Sequence, residues 1–599
     1  MISDRVRRLT RLSRVLFFDG FRASPGWMTL VTVMLILGSV ATTCYPLGYR
    51  FLVDGALDGK PADAIAGIAI VAGLLGLGWA LTSLGATEAM ALSDRIAVYR
   101  ISELIRLVSG VGGIEHLERP GYLAQVERLN ANRRQLASAP RQILSNLANG
   151  ARIIAYLVLL GTISPWLLLL PLCAIPPLFA DRVAKRIIRR AEDDTADRAR
   201  LAGLLFGLLT SPGSAGEVRV FGLKGRLTQM HGTITRSLNS NSRSQALAVL
   251  GVQAAGWLIY AAGLMAAIAF VTISATTSVM TLGTVLVAVS LIRRSRNQLA
   301  SAATSSGALV ATLATADRLL WLEGYAAEQR GLSGTEPAPE RLAEGIRLKD
   351  VDFAYAGTDR AALEGISLDI PAGSTVALLG ENGSGKTTLV KLLLGLYRPD
   401  SGSITVDGTP LDSISPESWR ARCTAAFQDF ARLHLSAVEA VGVADLPELG
   451  DEPLAIDALT RGGGADLVQQ LPQGLSTRLG TGTTGGHELS GGQWQKVALG
   501  RTMRRSVPLL VVLDEPTASL DAHAEHTLFS SYADAAKLSA ERVGAITILV
   551  SHRLTTALMA DRIVLLDDGR ILEQGSHAEL MALGGRYAEL FTLQAAEYD

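Results

Sequence analysis

The chain has 599 residues, 56 Lys and Arg against 56 Asp and Glu, 48% hydrophobic residues and a mean hydropathy of +0.29. Balanced charge provides no bulk field for nucleic acid, and three scattered cysteines, Cys44, Cys173 and Cys423, have neither metal-ligand spacing nor an obvious disulfide partner. Positive hydropathy with only 5% aromatic residues describes a chain with a substantial membrane part. At the N-terminus, Leu9, Leu12, Val15 and Leu16 recur at helical spacing opposite Arg8, Arg11 and Arg14, which predicts an interfacial helix within segment 1–26. Six apolar stretches follow at 27–53, 65–92, 144–163, 165–184, 247–273 and 280–300. Each holds about the 20 residues that cross roughly 30 Å of hydrocarbon.

Arginine asymmetry orients these spans. Arg5, Arg7, Arg8, Arg11 and Arg14 precede the first, and the long connectors 93–141 and 181–243 are rich in Arg; the short connectors 54–63, 162–164 and 274–281 hold one basic residue, Lys60. The positive-inside rule then predicts six crossings with both termini in the cytoplasm. Arg152 in the third span falls near mid-membrane, and Arg293, Arg294 and Arg296 lie in the inner part of the sixth. Intramembrane charge is costly and usually faces a cavity, which points to an anionic or carboxylate-bearing cargo. The three late arginines fit snorkelling toward the boundary equally well.

A polar linker at 323–345, with Gly331, Gly334, Pro337 and Pro339, leads into a second domain at 346–599. There the apolar run 375–379 predicts a buried strand, and 388–394 a helix. Between them stand Gly380, Glu381, Asn382, Gly383, Ser384, Gly385, Lys386 and Thr387, a complete G-x-x-x-x-G-K-[ST] loop in the strand-loop-helix context it needs. Its glycines let successive N–H groups turn toward phosphate oxygens, and the helix start adds a positive dipole end. Lys386 suits the outer phosphates and the Thr387 hydroxyl suits Mg²⁺. Further on, the apolar run 509–513 ends on Asp514 and Glu515. A buried strand stopping on two acids places them at the sheet's C-terminal edge, where ligands bind in open α/β sheets. Asp514 suits Mg²⁺ and Glu515 suits activation of an attacking water.

Between these motifs lies Leu489, Ser490, Gly491, Gly492 and Gln493. A P-loop, an L-S-G-G-Q run and a D-E strand end in this order resemble the ABC ATPase superfamily, and with six spans in front the layout resembles bacterial half-size exporters. The resemblance implies an α-helical, six-span, exporter-type transmembrane domain followed by an α/β P-loop ATPase domain of the ABC type. It assigns Ser490, Gly491, Gly492 and Gln493 to the nucleotide held by a second copy, so that ATP and Mg²⁺ sit at a homodimer interface. It matches Tyr355 to the aromatic that stacks on adenine, with Thr388 among the nucleotide-binding residues. Gln428 matches the Q-loop glutamine that meets Mg²⁺, His552 the switch histidine at the γ-phosphate, and Asp521 the loop that speaks across the dimer. Residues 119–123 and 212–221 are placed like the two coupling helices. The implied activity is ATP-driven export of a small molecule or peptide across a bacterial inner membrane, with lipid flipping, import or a cargo-free regulatory ATPase as alternatives. Two departures stand out: Ala518, Ser519, Leu520 and Asp521 replace the usual S-A-L-D, and the Gly-rich segment 479–488 lacks the T-E-V-G-E-R-G pattern that usually touches the coupling helices.

Overall fold

The computed structural model describes residues 12–596 apart from 13, 15, 212, 277–280, 359, 482–484, 516–521 and 553. Within helices the side chains at 120, 170, 171, 174, 189, 192, 193, 196, 240–243, 274–276, 295, 296, 303, 522–531, 554–556 and 594–596 are left aside. Asp521, the Arg296 side chain and most of the basic N-terminal stretch therefore lie outside the described set. The chain divides into two compact units, 1–104 with 129–320, and 105–128 with 321–599.

The first unit is helical. Helices α1 (Pro25–Cys44) and α2 (Gly48–Leu57) join through a 3-10 turn at Tyr45–Leu47, where Pro46 removes a backbone donor. The long helix α3 (Pro61–Ser109) returns beside them. Glycine sets the separation: a Cβ on Gly67 would lie 2.3 Å from the Leu52 nitrogen, and one on Gly78 2.8 Å from Thr42 Cγ2. Lipid supplies no hydrophobic drive between helices, so close backbone approach carries this packing. On the outside, Ile36, Ile65, Trp79 and Leu258 are exposed, as a lipid-facing surface requires. Ahead of α1, Leu12 and Leu16 are buried while Arg14 is exposed. Asp19 forms a buried ion pair with Arg100 of α3, which also bonds Glu103.

After the short helices α4 (Glu115–Glu118), α5 (Pro120–Ala131) and α6 (Arg133–Ala137) come α7 (Ala139–Ile163), α8 (Ile175–Thr210), α9 (Ala215–Val220), α10 (Lys224–Thr276) and α11 (Leu282–Leu332). Among the described residues five helices are long and apolar enough to cross a membrane: Pro25–Leu57, Pro61–Ser109, Ala139–Ile163, Lys224–Ile273 and Leu282–Leu332. The expected fourth crossing at 165–184 is instead built in two pieces, a 3-10 segment at Pro165–Ala174 and then the start of α8. Prolines at 165, 171, 176 and 177 explain the break, because each removes an i→i−4 donor. A polar ladder ties α7 to α11. Gln142, Asn146 and Asn149 share one face of α7 at i, i+4 and i+7. Gln142 accepts from Thr312 (3.0 Å), Asn146 from Ser305 (3.1 Å) and Ser306 (2.9 Å), and Asn149 from Gln298 (2.7 Å) while donating to Ser305 (3.2 Å).

The second unit holds two sheets. An antiparallel one has the order β2-β1-β4-β5, from β1 (Gly345–Ala354), β2 (Ala361–Pro371), β4 (Ser401–Val406) and β5 (Thr409–Pro410). The six-stranded sheet runs β10-β9-β3-β8-β7-β6, from β3 (Thr375–Leu379), β6 (Cys423–Ala426), β7 (Leu510–Asp514), β8 (Ile546–Val550), β9 (Arg562–Asp567) and β10 (Arg570–Gly575). Strands β3, β6, β7, β8 and β9 are parallel and only β10 is antiparallel. Strands β7 and β8 are buried at every position, which is why they read as unbroken apolar runs rather than alternating ones. The expected linker is partly helical, since α11 continues to Leu332 before Gly334 and Pro337 end it.

Residues 105–128 belong to this second unit. The Ile114 N–H donates to the Leu396 carbonyl (3.1 Å) and Arg420 to the Gly112 carbonyl (2.5 Å). The Glu118 carboxylate takes bonds from Lys391 (3.4 Å) and from the Tyr397 hydroxyl. His116, only 1% exposed, packs edge-on against Tyr122 with ring centroids 4.9 Å apart, beside Tyr325 and Trp321. Residues 119–123, expected as a coupling helix, thus share a compact unit with the two sheets.

Candidate functional site: a phosphate-binding loop and a shared carboxylate

The loop at 380–387 closes the C-terminal end of β3 and opens α12 (Lys386–Leu393). Glycine is required at two of its positions. Gly380 has φ +148, and a Cβ there would fall 2.2 Å from the Leu566 carbonyl oxygen; Gly385 has φ +102, with a Cβ 2.7 Å from Leu363. Lys386 folds over the loop and donates to the carbonyls of Gly380 (2.7 Å) and Glu381 (2.8 Å). Burial pushes its pKa down, opposed by the nearby Glu515 and Asp514. The Ser384 hydroxyl is buried beneath the loop, without a hydrogen-bond partner among the described residues.

Strand β7 delivers the two acids. Thr387 Oγ1 donates to Asp514 Oδ2 (3.2 Å), pairing one hydroxyl with one carboxylate at the strand end. Burial raises the Asp514 pKa, countered by the Thr387 bond and Lys386. The Glu515 backbone turns to φ +48 and its N–H donates to the Val550 carbonyl of β8 (3.1 Å). Two groups from separate elements then share its carboxylate: Gln428 Nε2 donates to Oε2 (2.9 Å), and His552 Nδ1 lies 2.9 Å from Oε1. The Glu515 side chain is 12% exposed whereas that of His552 is 55% exposed, so the carboxylate is held from inside by an accessible imidazole. Lys386, Thr387, Asp514, Glu515, Gln428 and His552, separated widely in sequence, are thereby gathered at one sheet edge.

Tyr355 bonds through its hydroxyl to Thr388 Oγ1 (3.0 Å). Sequence reasoning missed what holds it. Phe353 and Tyr397 pack edge-on against its ring at 5.2 and 5.6 Å, and Lys391 Nζ lies 5.5 Å from its centroid. Tyr397 and Lys391 both bond Glu118, so the ring's support reaches the segment 105–128. No local pattern around Tyr355 encodes partners that distant.

Ser490 to Gln493 stands apart from this cluster. Ser490 is the N-cap of α13 (Gly491–Met503) in a reciprocal capping box with Gln493, which also donates to Gln470 (2.8 Å). A Cβ on Gly491 or Gly492 would meet nothing within 4 Å. Among the described residues their lack of a side chain answers no steric need. In the Gly-rich segment, Gly480 has φ +86 and a Cβ there would press 2.9 Å from the His434 ring.

The residues present fit a magnesium nucleotide. Gly380 leaves a cradle that a Cβ would fill, Ser384 offers an orphaned hydroxyl, and Thr387 with Asp514 supplies the hard-oxygen pair that Mg²⁺ takes alongside phosphates and water.

Residues 363–518 match the ABC transporter family. An ATP-dependent lipid A-core flippase of Bordetella avium (strain 197N) is 35% identical over 264 residues, 44% of this chain and 43% of that protein. The lipid A-core flippase of Ralstonia nicotianae is 38% identical over 259 residues, 43% of this chain and 42% of the relative. The matched stretch is therefore less than half the length of the curated relatives. A solved bacterial Atm1-family ABC exporter with ATP bound aligns with a TM-score of 0.75 at 23% identity, over 96% of this chain and 98% of that one, which is a likeness of fold. Residues 363–518 thus carry an ABC transporter domain, and the chain as a whole has the fold of an ABC exporter.

Proposed function

We propose that this chain is half of an ATP-driven exporter that works as a homodimer by alternating access. The reading divides it into an N-terminal segment 1–26, a six-crossing membrane domain 27–322, a linker 323–345 and a nucleotide-binding domain 346–599. It sits in a bacterial inner membrane, among membrane lipids, with both termini and the ATPase domain in the cytoplasm. The observation that carries it is the convergence of Gln428 and His552 on Glu515 beside the Thr387–Asp514 pair.

In this reading Glu515 takes the proton of the attacking water, and His552 and Gln428 orient its carboxylate. Lys386 and the loop N–H groups hold the outer phosphates, while Tyr355 stacks on adenine with Thr388 below it. Mg²⁺, when bound, neutralises charge developing on the β- and γ-phosphate oxygens. Ser490, Gly491 and Gly492 close over the nucleotide of the second copy, which accounts for glycines that nothing in their own subunit requires. Asp521 completes that interface. At the tip of α9, Val220 and Phe221 are 81% and 70% exposed, apolar side chains suited to burial against a second copy. Nucleotide shifts the inward-to-outward equilibrium only through its differential affinity for the closed dimer.

Glu515→Gln in the purified, membrane-reconstituted protein is expected to lower ATP hydrolysis about 10²–10⁴-fold with ATP binding retained. Unchanged turnover would remove Glu515 from its role. The similarity to lipid A-core flippases over the ATPase half favours an amphipathic lipid as a second cargo class. Mass spectrometry of medium, cytosol and membrane lipids from cells carrying wild type or Glu515→Gln separates the cases. A retained compound means export, a changed leaflet composition flipping, a depleted external solute import, and no redistribution a regulatory ATPase.

A further inference from the structure

We infer that Glu488 and Trp494 are positioning residues for hydrolysis of the nucleotide held by a second copy, acting through the turn Ser490–Gln493 that they bracket; this rests on the reading above that the turn closes over that nucleotide. The turn carries its own difficulty. Gly491 and Gly492 occupy the first two positions of α13, and glycine loses more backbone freedom on entering a helix than any other residue. No described residue packs against either α-carbon, since a Cβ at each would meet nothing within 4 Å. The capping box of Ser490 and Gln493 ties the turn only to itself, so its direction has to be fixed from outside.

One side-chain bond spans it. Trp494 Nε1 donates to Glu488 Oε1 (3.2 Å), so a residue just inside the helix is tied to one just before the N-cap. The backbone N–H of Trp494 donates to the Ser490 carbonyl (2.9 Å) and closes the first turn, so the place where the indole is anchored decides where the glycines point. The anchor is firm, because Trp494 is 1% exposed and lies in one buried cluster with Leu479, Leu489 and Val497. A buried indole N–H takes a partner, and a carboxylate gives the stronger, charge-assisted bond. Glu488 is itself exposed, and its second oxygen accepts from the Thr481 N–H (3.2 Å). An ordinary core tryptophan has no use for an exposed carboxylate; a turn that must keep one direction does.

The segment that delivers Gln428 to Glu515 backs this bond. The Leu479 N–H donates to the Leu435 carbonyl (2.9 Å) and the Ala437 N–H to the Thr477 carbonyl (2.9 Å), so 435–437 runs beside 477–479. The Gly480 N–H then donates to the His487 carbonyl (2.8 Å) and the His487 N–H to the Arg478 carbonyl (2.8 Å), which brings the chain to Glu488. His434 lies nearly parallel to the Trp494 indole, at 24° with ring centroids 6.2 Å apart, and it also meets Gly480, whose missing side chain leaves room for the imidazole. Gln428, which touches Glu515 inside one subunit, is thereby joined to the turn offered to the other by a short path of main-chain bonds and stacked rings.

The test is hydrogen–deuterium exchange of the full-length protein in detergent, titrated with Mg²⁺ and β,γ-imido-ATP, which is not hydrolysed. Wild type should gain protection over 489–493 as the two copies close. Glu488→Ala, a surface change that leaves the core filled, should need about tenfold more analogue for half-protection. Trp494→Phe should shift the midpoint likewise, and the double variant should move it no further than the larger single shift, because both remove one bond. Glu488→Gln keeps an acceptor oxygen and should shift it by less than about threefold. Protection of 380–387 by ADP should stay within about twofold in every variant, and exchange over β7 should not change, which separates a misdirected turn from a damaged fold. A wild-type midpoint in Glu488→Ala, or an ADP midpoint that moves in step with that of the analogue, overturns the inference. No protection over 489–493 in wild type overturns instead the second-copy reading, and the inference with it. Because nothing is hydrolysed, the outcome does not depend on the role of Glu515.

Discussion

At the scale of single residues, the chemistry depends on a few side chains held by partners from other parts of the chain. Glu515 shows how far sequence carries. Its place at the end of an apolar strand is legible in 509–515, and so is the companion role of Asp514. What no local pattern shows is that Gln428 and His552 grip the same carboxylate from two sides, because that depends on the order β8-β7-β6 in the sheet. His116, outside the spans, carries a pH consequence. Burial lowers its pKa, and its Nε2 has no hydrogen-bond partner among the described residues. A histidine whose folded pKa lies below its ordinary value of about 6.5 costs nothing above that pH. Stability is lost as pH falls through 6.5, because the unfolded chain then binds the proton more readily. Thermal unfolding of the second unit in the full-length protein should therefore weaken between pH 7.5 and 5.5 more in wild type than in His116→Phe. Identical pH profiles would assign that acid sensitivity elsewhere.

At the scale of elements, length and periodicity were readable wherever an element is buried on all sides or faces lipid. The apolar runs before Gly380 and ending at Asp514 became β3 and β7 within a residue of their expected bounds. Hydropathy counts apolar side chains and ignores the backbone donors that Pro165, Pro171, Pro176 and Pro177 lack, so the apolar stretch 165–184 carries no sign that it is built in two pieces. The α7–α11 ladder escaped notice for the opposite reason. Asn, Gln and Ser at scattered positions look like weak spots in a span until both helices are seen to place them on facing stripes. Asn149, 2% exposed, bonds both Gln298 and Ser305. Asn149→Leu keeps the apolar character but leaves Gln298 unsatisfied. Intramembrane side-chain bonds are worth about 0.6–2 kcal/mol each, so the variant should unfold earlier by about 1–2 kcal/mol in detergent. No change in unfolding would mean that water or lipid replaces the ladder at no cost.

At the scale of the whole molecule, the proposed cycle requires two copies, and the exposed tip at Val220 and Phe221 is the feature most exposed to test. Phe221→Asp should leave ATP binding in place while nucleotide no longer changes the distance between spin labels on the helical units of the two copies. A wild-type distance change in that variant would remove the tip from the coupling path. The left-handed backbone of Glu515 bears on the molecule in a different currency. A non-glycine residue at φ +48 sits about 1–2 kcal/mol above its relaxed conformation, so the proposed base is held in a posture its own Cβ resists. Glu515→Gly and Glu515→Ala both delete the carboxylate, yet the glycine variant should tolerate more heat than the alanine variant by about 1 kcal/mol, and a reversed order would show that the turn is unstrained. Selection of this chain for thermal endurance alone would then drift toward glycine at 515, enriching durable molecules that no longer turn over ATP.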